Sequence, residues 1–335
     1  MTDISFIIVN YNSLNYIKDL LKTFEIFNKK SSLPDSTSKK TLYLNYDDIN
    51  YRDTRYEIII FDNGSTDGSV QYIEKEVQEK NNIILVKSKT NAGFSKGSNE
   101  GAKIAKGKYL IFLNPDTKII DDNLNSLINF FEEKEKSKEK IGVIGVKNIN
   151  TDGSLQYSCR SFPSIATQFF ESFFLFKIFK KSKIFGSYFM TWWNHENIFE
   201  VDWLSGSFMF IKKDVFNQVS GFDENFFMYS EDTDLCLRLK RKGFKNYYYP
   251  YYSIIHADSA IAKKNPAIRE IGIIKSRRYY FKKNYSEFHA KIISFLYFIG
   301  ILNRLFLNLI LYIFTFKKSY GLKIKLYFAT LKNYF

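Results

Sequence analysis

The first half of the chain alternates short β-branched runs with longer amphipathic stretches, and this alternation leaves few architectures open. Ile4–Val9, Glu57–Phe61, Ile83–Val86, Tyr109–Leu113 and Ile141–Val146 are continuous apolar runs rather than alternating ones, as strands covered on both faces require. Between them, Leu14–Phe27, Gly68–Glu79, Ser95–Ala105 and Asn123–Glu135 have helical spacing. Strand–helix alternation predicts an α/β fold with a mostly parallel sheet and helices on both faces. Apolar residues make up 45% and charged residues 25% of the chain, which excludes wholesale disorder. A length of 335 residues accommodates one substantial core and a smaller second unit.

The pattern breaks in two places. Residues 29–55 are rich in Ser, Lys, Asp and Asn and read as a surface insertion. After Asn148, Asp152–Gly153 reads as a turn, and 162–199 is Phe-rich, broken by Lys177, Lys180, Lys181 and Lys183. Val201–Lys212 then reads as a strand region, Thr233–Lys242 as a helix closed by Gly243, and 265–283 as a basic helix.

The net charge of +14 is concentrated at the end, where residues 258–335 carry 15 Lys and Arg against 3 Asp and Glu. These cations lie among Leu, Ile and Phe, which points to an anionic membrane surface and away from nucleic acid. Ile292–Phe316 is long enough to span a bilayer, but Asn303, Arg304 and Asn308 fall in its middle. A lone central Arg costs roughly 2.5–3.5 kcal/mol on insertion scales. The expectation is therefore two in-plane amphipathic helices, near 290–302 and 304–316. Cys159 and Cys236 lack partners at ligand spacing, which argues against a disulfide framework or structural zinc and fits a reducing compartment. No basic residue precedes Ile4–Val9, so this run reads as a strand and not a signal peptide.

Ligands of open α/β sheets bind outside the carboxyl ends of the strands. After the first, second, third and fourth strands come Asn10-Tyr11-Asn12-Ser13, the segment Asp62 to Ser69, Asn91-Ala92-Gly93-Phe94 and Asn114-Pro115-Asp116-Thr117. Any one of these loops could be only a turn or a helix cap. Four on one sheet edge favour a binding site.

Together, VNYNS, DNGSTDGS, NAGFSKGSNEG and YLIFLNPDT resemble the donor half of glycosyltransferase family 2, whose fold is the Rossmann-like GT-A type. The later GFDENFFMYSEDTDLCLR and the trailing His256 resemble its rhamnosyltransferase-like branch. The resemblance runs from about residue 4 to 258, apart from the insertion. It implies a GT-A domain over 1–260, with a donor half at 1–147 and an acceptor half at 148–260. Residues 261–335 would then be a basic, apolar region associated with a membrane.

The resemblance also implies roles for individual residues. Asp62 would contact the donor nucleoside, with Asp67 the better placed of the two to cap a helix. Asn10, Asn12, Asn91, Gly93 and Asn114 would line the donor site. Asp116 would hold a divalent cation, Mg2+ or Mn2+, with His256 as its partner. The family usually presents Asp-x-Asp here; this chain has Asn114-Pro115-Asp116, so one carboxylate is replaced. Asp232 would be the general base of an inverting transfer, with Glu231 orienting the acceptor; the bare alternative is helix capping. Trp203, Gly206 and Arg238 are candidate acceptor or sugar contacts, although Trp203 also reads as core and Arg238 as the ion-pair partner of Asp234.

The implied donor is a dTDP- or UDP-sugar, dTDP-rhamnose first. The implied acceptor is a lipid-linked or glycan intermediate of bacterial surface polysaccharide, at the cytoplasmic face of the plasma membrane. A non-catalytic nucleotide-sugar-binding subunit of the same fold is the main alternative. A nucleotidyltransferase would want an early Gly-rich loop bearing Arg or Lys, and Asn10–Ser13 has neither.

Overall fold

The structure, a computed structural model, describes residues 2–28, 55–257 and 266–333. Nearly all of the expected insertion at 29–55, and the boundary at 260/261, lie outside the described residues. In chain order the first half comprises β1 (Ile4–Asn10), α1 (Leu14–Thr23), β2 (Tyr56–Asp62), α2 (Ser69–Glu79), β3 (Ile83–Lys87), α3 (Phe94–Ile104), β4 (Tyr109–Leu113), β5 (Thr117–Ile119), α4 (Leu124–Lys136) and β6 (Ile141–Ile149). Then follow β7 (Leu155–Gln156), β8 (Cys159–Arg160), α5 (Ile165–Ser172), α6 (Leu175–Ile178), β9 (Phe199–Val201), β10 (Trp203–Leu204), β11 (Phe208–Lys212), α7 (Lys213–Gln218), α8 (Glu231–Arg241) and β12 (Lys245–His256).

The main sheet runs β3-β2-β1-β4-β11-β6-β12-β5. Strands β3, β2, β1 and β4 are parallel, and every residue of β1 and β4 is buried, which explains their unbroken apolar runs. Register decides where the loops emerge: Asn10 lies opposite Asp62, and Asp62 opposite Lys87. The parallel half of the sheet therefore delivers its loops to one rim. Strand β11 is antiparallel to both β4 and β6, while β12 runs parallel to β6. One sheet thus joins the two halves, with buried apolar clusters on either face.

The C-terminal part differs from expectation. After α9 (Pro266–Asn284), one continuous helix, α10 (Glu287–Thr315), replaces the two in-plane helices, and α11 (Lys318–Lys332) follows. Two of the polar residues that suggested a break face α5: Asn303 Nδ2 donates to Ser172 O at 3.2 Å, and Arg304 pairs with Glu171 at 3.6 Å, while Asn308 Nδ2 bonds Arg304 O within its own helix. With its cation neutralised against α5, the helix has no reason to break. Among the described residues α10 is the one helix long and apolar enough to cross a membrane. Its first half shares a buried cluster with α9, with Phe226 and with Leu237 of α8.

Candidate active site

The first two loops are tied by side chains. Asn10 Nδ2 donates to Asp62 Oδ2 at 2.7 Å, and Asp62 Oδ1 accepts the backbone N–H groups of Gly64 and Ser65. Asn12, at φ 47°, accepts from Thr66 N at 2.7 Å. Asp62 is buried and organises its own loop as an Asx turn. Asp67 accepts from Leu14 N and Ser69 N, so one carboxylate serves the starts of two helices. Asn63, not singled out from the sequence, donates to Gly93 O at 3.1 Å and accepts from Ala92 N. It carries the network to the third loop, where Asn91 Oδ1 accepts from Gly93 N.

The fourth loop turns back on itself. After Asn114-Pro115-Asp116, β5 pairs antiparallel with the end of β12, placing His256 opposite Thr117. This register brings His256 Nε2 to 3.3 Å from Asp116 Oδ1 and 3.4 Å from Asn114 Nδ2. His256 Nδ1 lies 2.7 Å from Gln156 Oε1, and Gln156 Nε2 donates to Asn150 Oδ1 at 2.9 Å. Because a carboxamide oxygen can only accept, Nδ1 donates to Gln156, and this contact turns Nε2 towards Asp116. Asp116 Oδ1 and His256 Nε2 are a donor pair that would suit a divalent cation such as Mg2+ or Mn2+. No cluster of three or more His, Cys, Asp or Glu suited to a metal occurs among the described residues.

Glu231 and Asp232 open α8, two residues before the expected start at Thr233. Tyr229 and Ser230 both have left-handed backbone, φ 72° and 65°, a conformation that costs non-glycine residues energy and gathers at functional sites. Asp232 Oδ2 accepts from Gly206 N at 3.1 Å, and Oδ1 accepts from Thr233 N at 2.7 Å. Glu231 Oε2 is buried without a hydrogen-bond partner. Burial, then the adjacent Asp232 charge, pushes the Glu231 carboxyl well above the ordinary carboxylate range. Burial also raises Asp232, opposed by the Gly206 and Thr233 donors and by the Arg160 charge.

These shifts have a thermodynamic consequence. A raised native pKa means the folded state binds more protons than the unfolded one between the two values, so stability falls as pH rises through that window. Glu231→Gln removes the penalty and is expected to raise Tm at neutral pH by about 2 °C or more. The gain should vanish near about pH 4, where the unfolded carboxyl is also protonated. Equal melting temperatures at neutral pH would refute this.

The two centres are joined through backbone. Asn114 N donates to Ser207 O at 3.2 Å, and Gly206, the preceding residue, donates to Asp232. A Cβ at Gly206 would meet only ordinary contacts, 3.7 Å from Phe94 and 3.8 Å from Asp232 Oδ2. The protein itself therefore does not demand glycine there, and the open space lies beside the carboxylate.

Two sequence candidates take other places. Trp203 is buried in the core, its indole N–H bonded to Ser161 O and its ring covered by Arg160, so it presents no face to a sugar. Arg238 pairs with fully buried Asp234 at 2.7 Å and donates to Val219 O and Gly221 O. Its guanidinium bridges α8 and the Gly221 loop. Arg238→Ala is expected to cost roughly 1.5–3 kcal/mol, since Lys283 and Asn284 still face Asp234, read as a lower Tm with substrate KM unchanged in the folded fraction; a raised KM at unchanged Tm would contradict that role.

Comparisons with known proteins bear on the family and the fold. The Glycosyl transferase family 2 model matches residues 5–200, and the Glycosyl transferase family group 2 model matches 153–331. Rhamnosyltransferase WbbL of Escherichia coli K12 is 31% identical over 63% of this chain and 76% of its own. The N-acetylglucosaminyl-diphospho-decaprenol L-rhamnosyltransferase of Mycobacterium tuberculosis is 26% identical over 63% of this chain and 69% of its own. The mannosyltransferase PcManGT of Pyrobaculum calidifontis, solved with GDP-Man and Mn2+, shares the fold, with a TM-score of 0.54 at 12% identity over 99% of this chain and 87% of that one. The chain belongs to glycosyltransferase family 2, with a GT-A-like fold and rhamnosyltransferase-like relatives.

Proposed function

We propose that this glycosyltransferase inverts the anomeric centre, moving a sugar from a dTDP- or UDP-linked donor, dTDP-rhamnose first, to a lipid-linked glycan acceptor. The observation carrying the reading is the backbone path from Asp116 and His256, through Asn114, Ser207 and Gly206, to Asp232. This path links the Asp116–His256 pair to a buried, raised carboxylate and supports a diphosphate held at the first and a base at the second. The nucleoside lies on the loop that Asp62 organises, with Asn10, Asn12, Asn91 and Gly93 around it. Asp116 and His256 hold Mg2+ or Mn2+, and Asn114 keeps His256 Nε2 in register. When bound, the cation neutralises charge developing on the leaving diphosphate. Asp232 takes the acceptor hydroxyl proton as that oxygen attacks the face opposite the leaving group. Glu231 orients the acceptor. The names of the two relatives support rhamnose, and the mycobacterial name supports a lipid diphosphate acceptor.

The C-terminal helices carry this activity at the cytoplasmic face of the plasma membrane. Phe314 and Phe316 are 81% and 80% exposed beside Lys317 and Lys318, a pairing that suits an anionic bilayer surface.

Thermal shift tests the donor and metal assignments together. UDP or dTDP with Mn2+ is expected to raise Tm by several degrees at saturation. Asp116→Asn and His256→Ala should keep the nucleotide increment and lose the additional rise due to Mn2+. If no nucleotide moves Tm with or without the cation, the reading fails.

A further inference from the structure

The Phe-rich, lysine-broken stretch after Arg160 has no part in the chemistry above. Residues 172–195 contain four lysines and no acidic residue. Lys177, Lys180, Lys181 and Lys183 are all exposed, and none forms an ion pair among the described residues. Between and beside them, Ile178 and Ile184 are each 66% exposed, and Phe169, Phe173 and Phe179 are exposed as well. Surface isoleucine and phenylalanine at this density are not explained by packing within the chain.

The stretch is nevertheless firmly held. Ser164 and Thr167 form a capping box at the start of α5. At its far end Ser172 Oγ donates to Leu296 O at 2.8 Å, and a Cβ at Gly300 would come within 2.9 Å of Ser172 Oγ, a close approach that glycine permits. With the Arg304–Glu171 pair and the Asn303 bond, α5 is fixed against the middle of α10. The exposed residues at 169–184 therefore keep a set position relative to the helix whose distal half exposes Phe306, Ile313 and Phe314.

We propose that the segment Ile165–Ile184 is a second membrane-contact element, seated on an anionic bilayer surface on the acceptor side of Asp232. Exposed lysines without an ion-pair partner among the described residues, interleaved with exposed apolar side chains, complement anionic headgroups above an acyl layer. Nucleic acid gives no use to the aliphatic Ile178 and Ile184. The segment is also rooted at the site. Phe162 N donates to Asp202 Oδ2 and Trp203 Nε1 donates to Ser161 O, both at 2.9 Å. The same β10 strand leads directly to Gly206, which holds Asp232. Contact at two places, here and at the C-terminal helices, fixes the height of Asp232 above the bilayer and brings a lipid-borne acceptor hydroxyl to it. This inference rests on the proposal that the acceptor is lipid-borne.

Flotation of the full chain with phosphatidylcholine vesicles, with and without phosphatidylglycerol, tests it. Ile178→Ser with Phe179→Ser, and separately Lys180→Glu with Lys181→Glu, are expected to weaken partitioning onto phosphatidylglycerol vesicles by about tenfold or more. Tm and transfer to an acceptor lacking the lipid tail should be unchanged. Phe314→Ser with Phe316→Ser serves as the C-terminal control. If only the control loses binding while both segment variants float like wild type, the second contact is refuted and the C-terminal one stands. If wild type does not float, or the segment variants abolish self-association in place of vesicle binding, the membrane assignment of the segment is overturned.

Discussion

Asp232→Asn is expected to lower kcat about 10²–10⁴-fold while nucleotide binding, measured by thermal shift, stays within error of wild type. The isosteric amide keeps one acceptor oxygen for Gly206 N or Thr233 N, which in wild type bond to different carboxylate oxygens, and loses the other contact at a cost of about 1–3 kcal/mol, so Tm is measured beside kcat. What it cannot do is take a proton from the acceptor hydroxyl. The wild-type pH profile should carry the same signature. Because burial raises Asp232, activity should fall on acidification at a pH above the ordinary carboxylate range. Asp232→Asn should remove that limb from whatever activity remains. A variant with wild-type turnover would end the assignment of Asp232 as the base.

Gly93→Ala has the second large expected effect, and it acts through backbone. Gly93 adopts φ 88° and ψ 171°, a region open in practice only to glycine and costing other residues about 1–3 kcal/mol. A Cβ there would lie 2.4 Å from Phe227 O and 2.9 Å from the Phe227 ring. That carbonyl also accepts the Phe94 N–H at 2.8 Å, the contact joining the donor loop to the chain leading into Glu231 and Asp232. Relief of the clash must shift the 227–230 turn, whose residues 229 and 230 already hold left-handed backbone. The expected outcome is a Tm lowered by several degrees together with kcat/KM reduced more than tenfold. A stable variant with wild-type kcat/KM would show that this junction does not set the site.

Much of the donor half is legible in the sequence because its strands are covered on both faces and its loops carry Asn, Asp and Gly at the strand ends. Residue type leaves two readings open where meaning depends on which face a side chain takes. Trp203 as sugar platform or core, and Arg238 as sugar contact or partner of Asp234, are decided when β10 turns the indole into the core and α8 turns the guanidinium onto Asp234. Gln156 carries no motif, and its part in orienting the His256 ring follows from the pairing of Asn148 with Gln156 across β6 and β7. Strands β8 and β10, two residues each, are too short to show periodicity. The start of α8 at Glu231 follows two left-handed non-glycine residues that no propensity anticipates. In α10, Asn303 and Arg304 suggested a break because their partners, Ser172 and Glu171, lie some 130 residues away in sequence.

The most direct test of a single-displacement transfer based at Asp232 is the anomeric configuration of the product. Wild-type protein is incubated with dTDP-rhamnose or a UDP-sugar, Mn2+ and a diphosphate-linked sugar acceptor, and the new glycosidic linkage is read by nuclear magnetic resonance. The account predicts a configuration opposite to that of the donor, formed by wild type and lost in Asp232→Asn. A product retaining the donor configuration, or the same inverted product from Asp232→Asn at the wild-type rate, would contradict it.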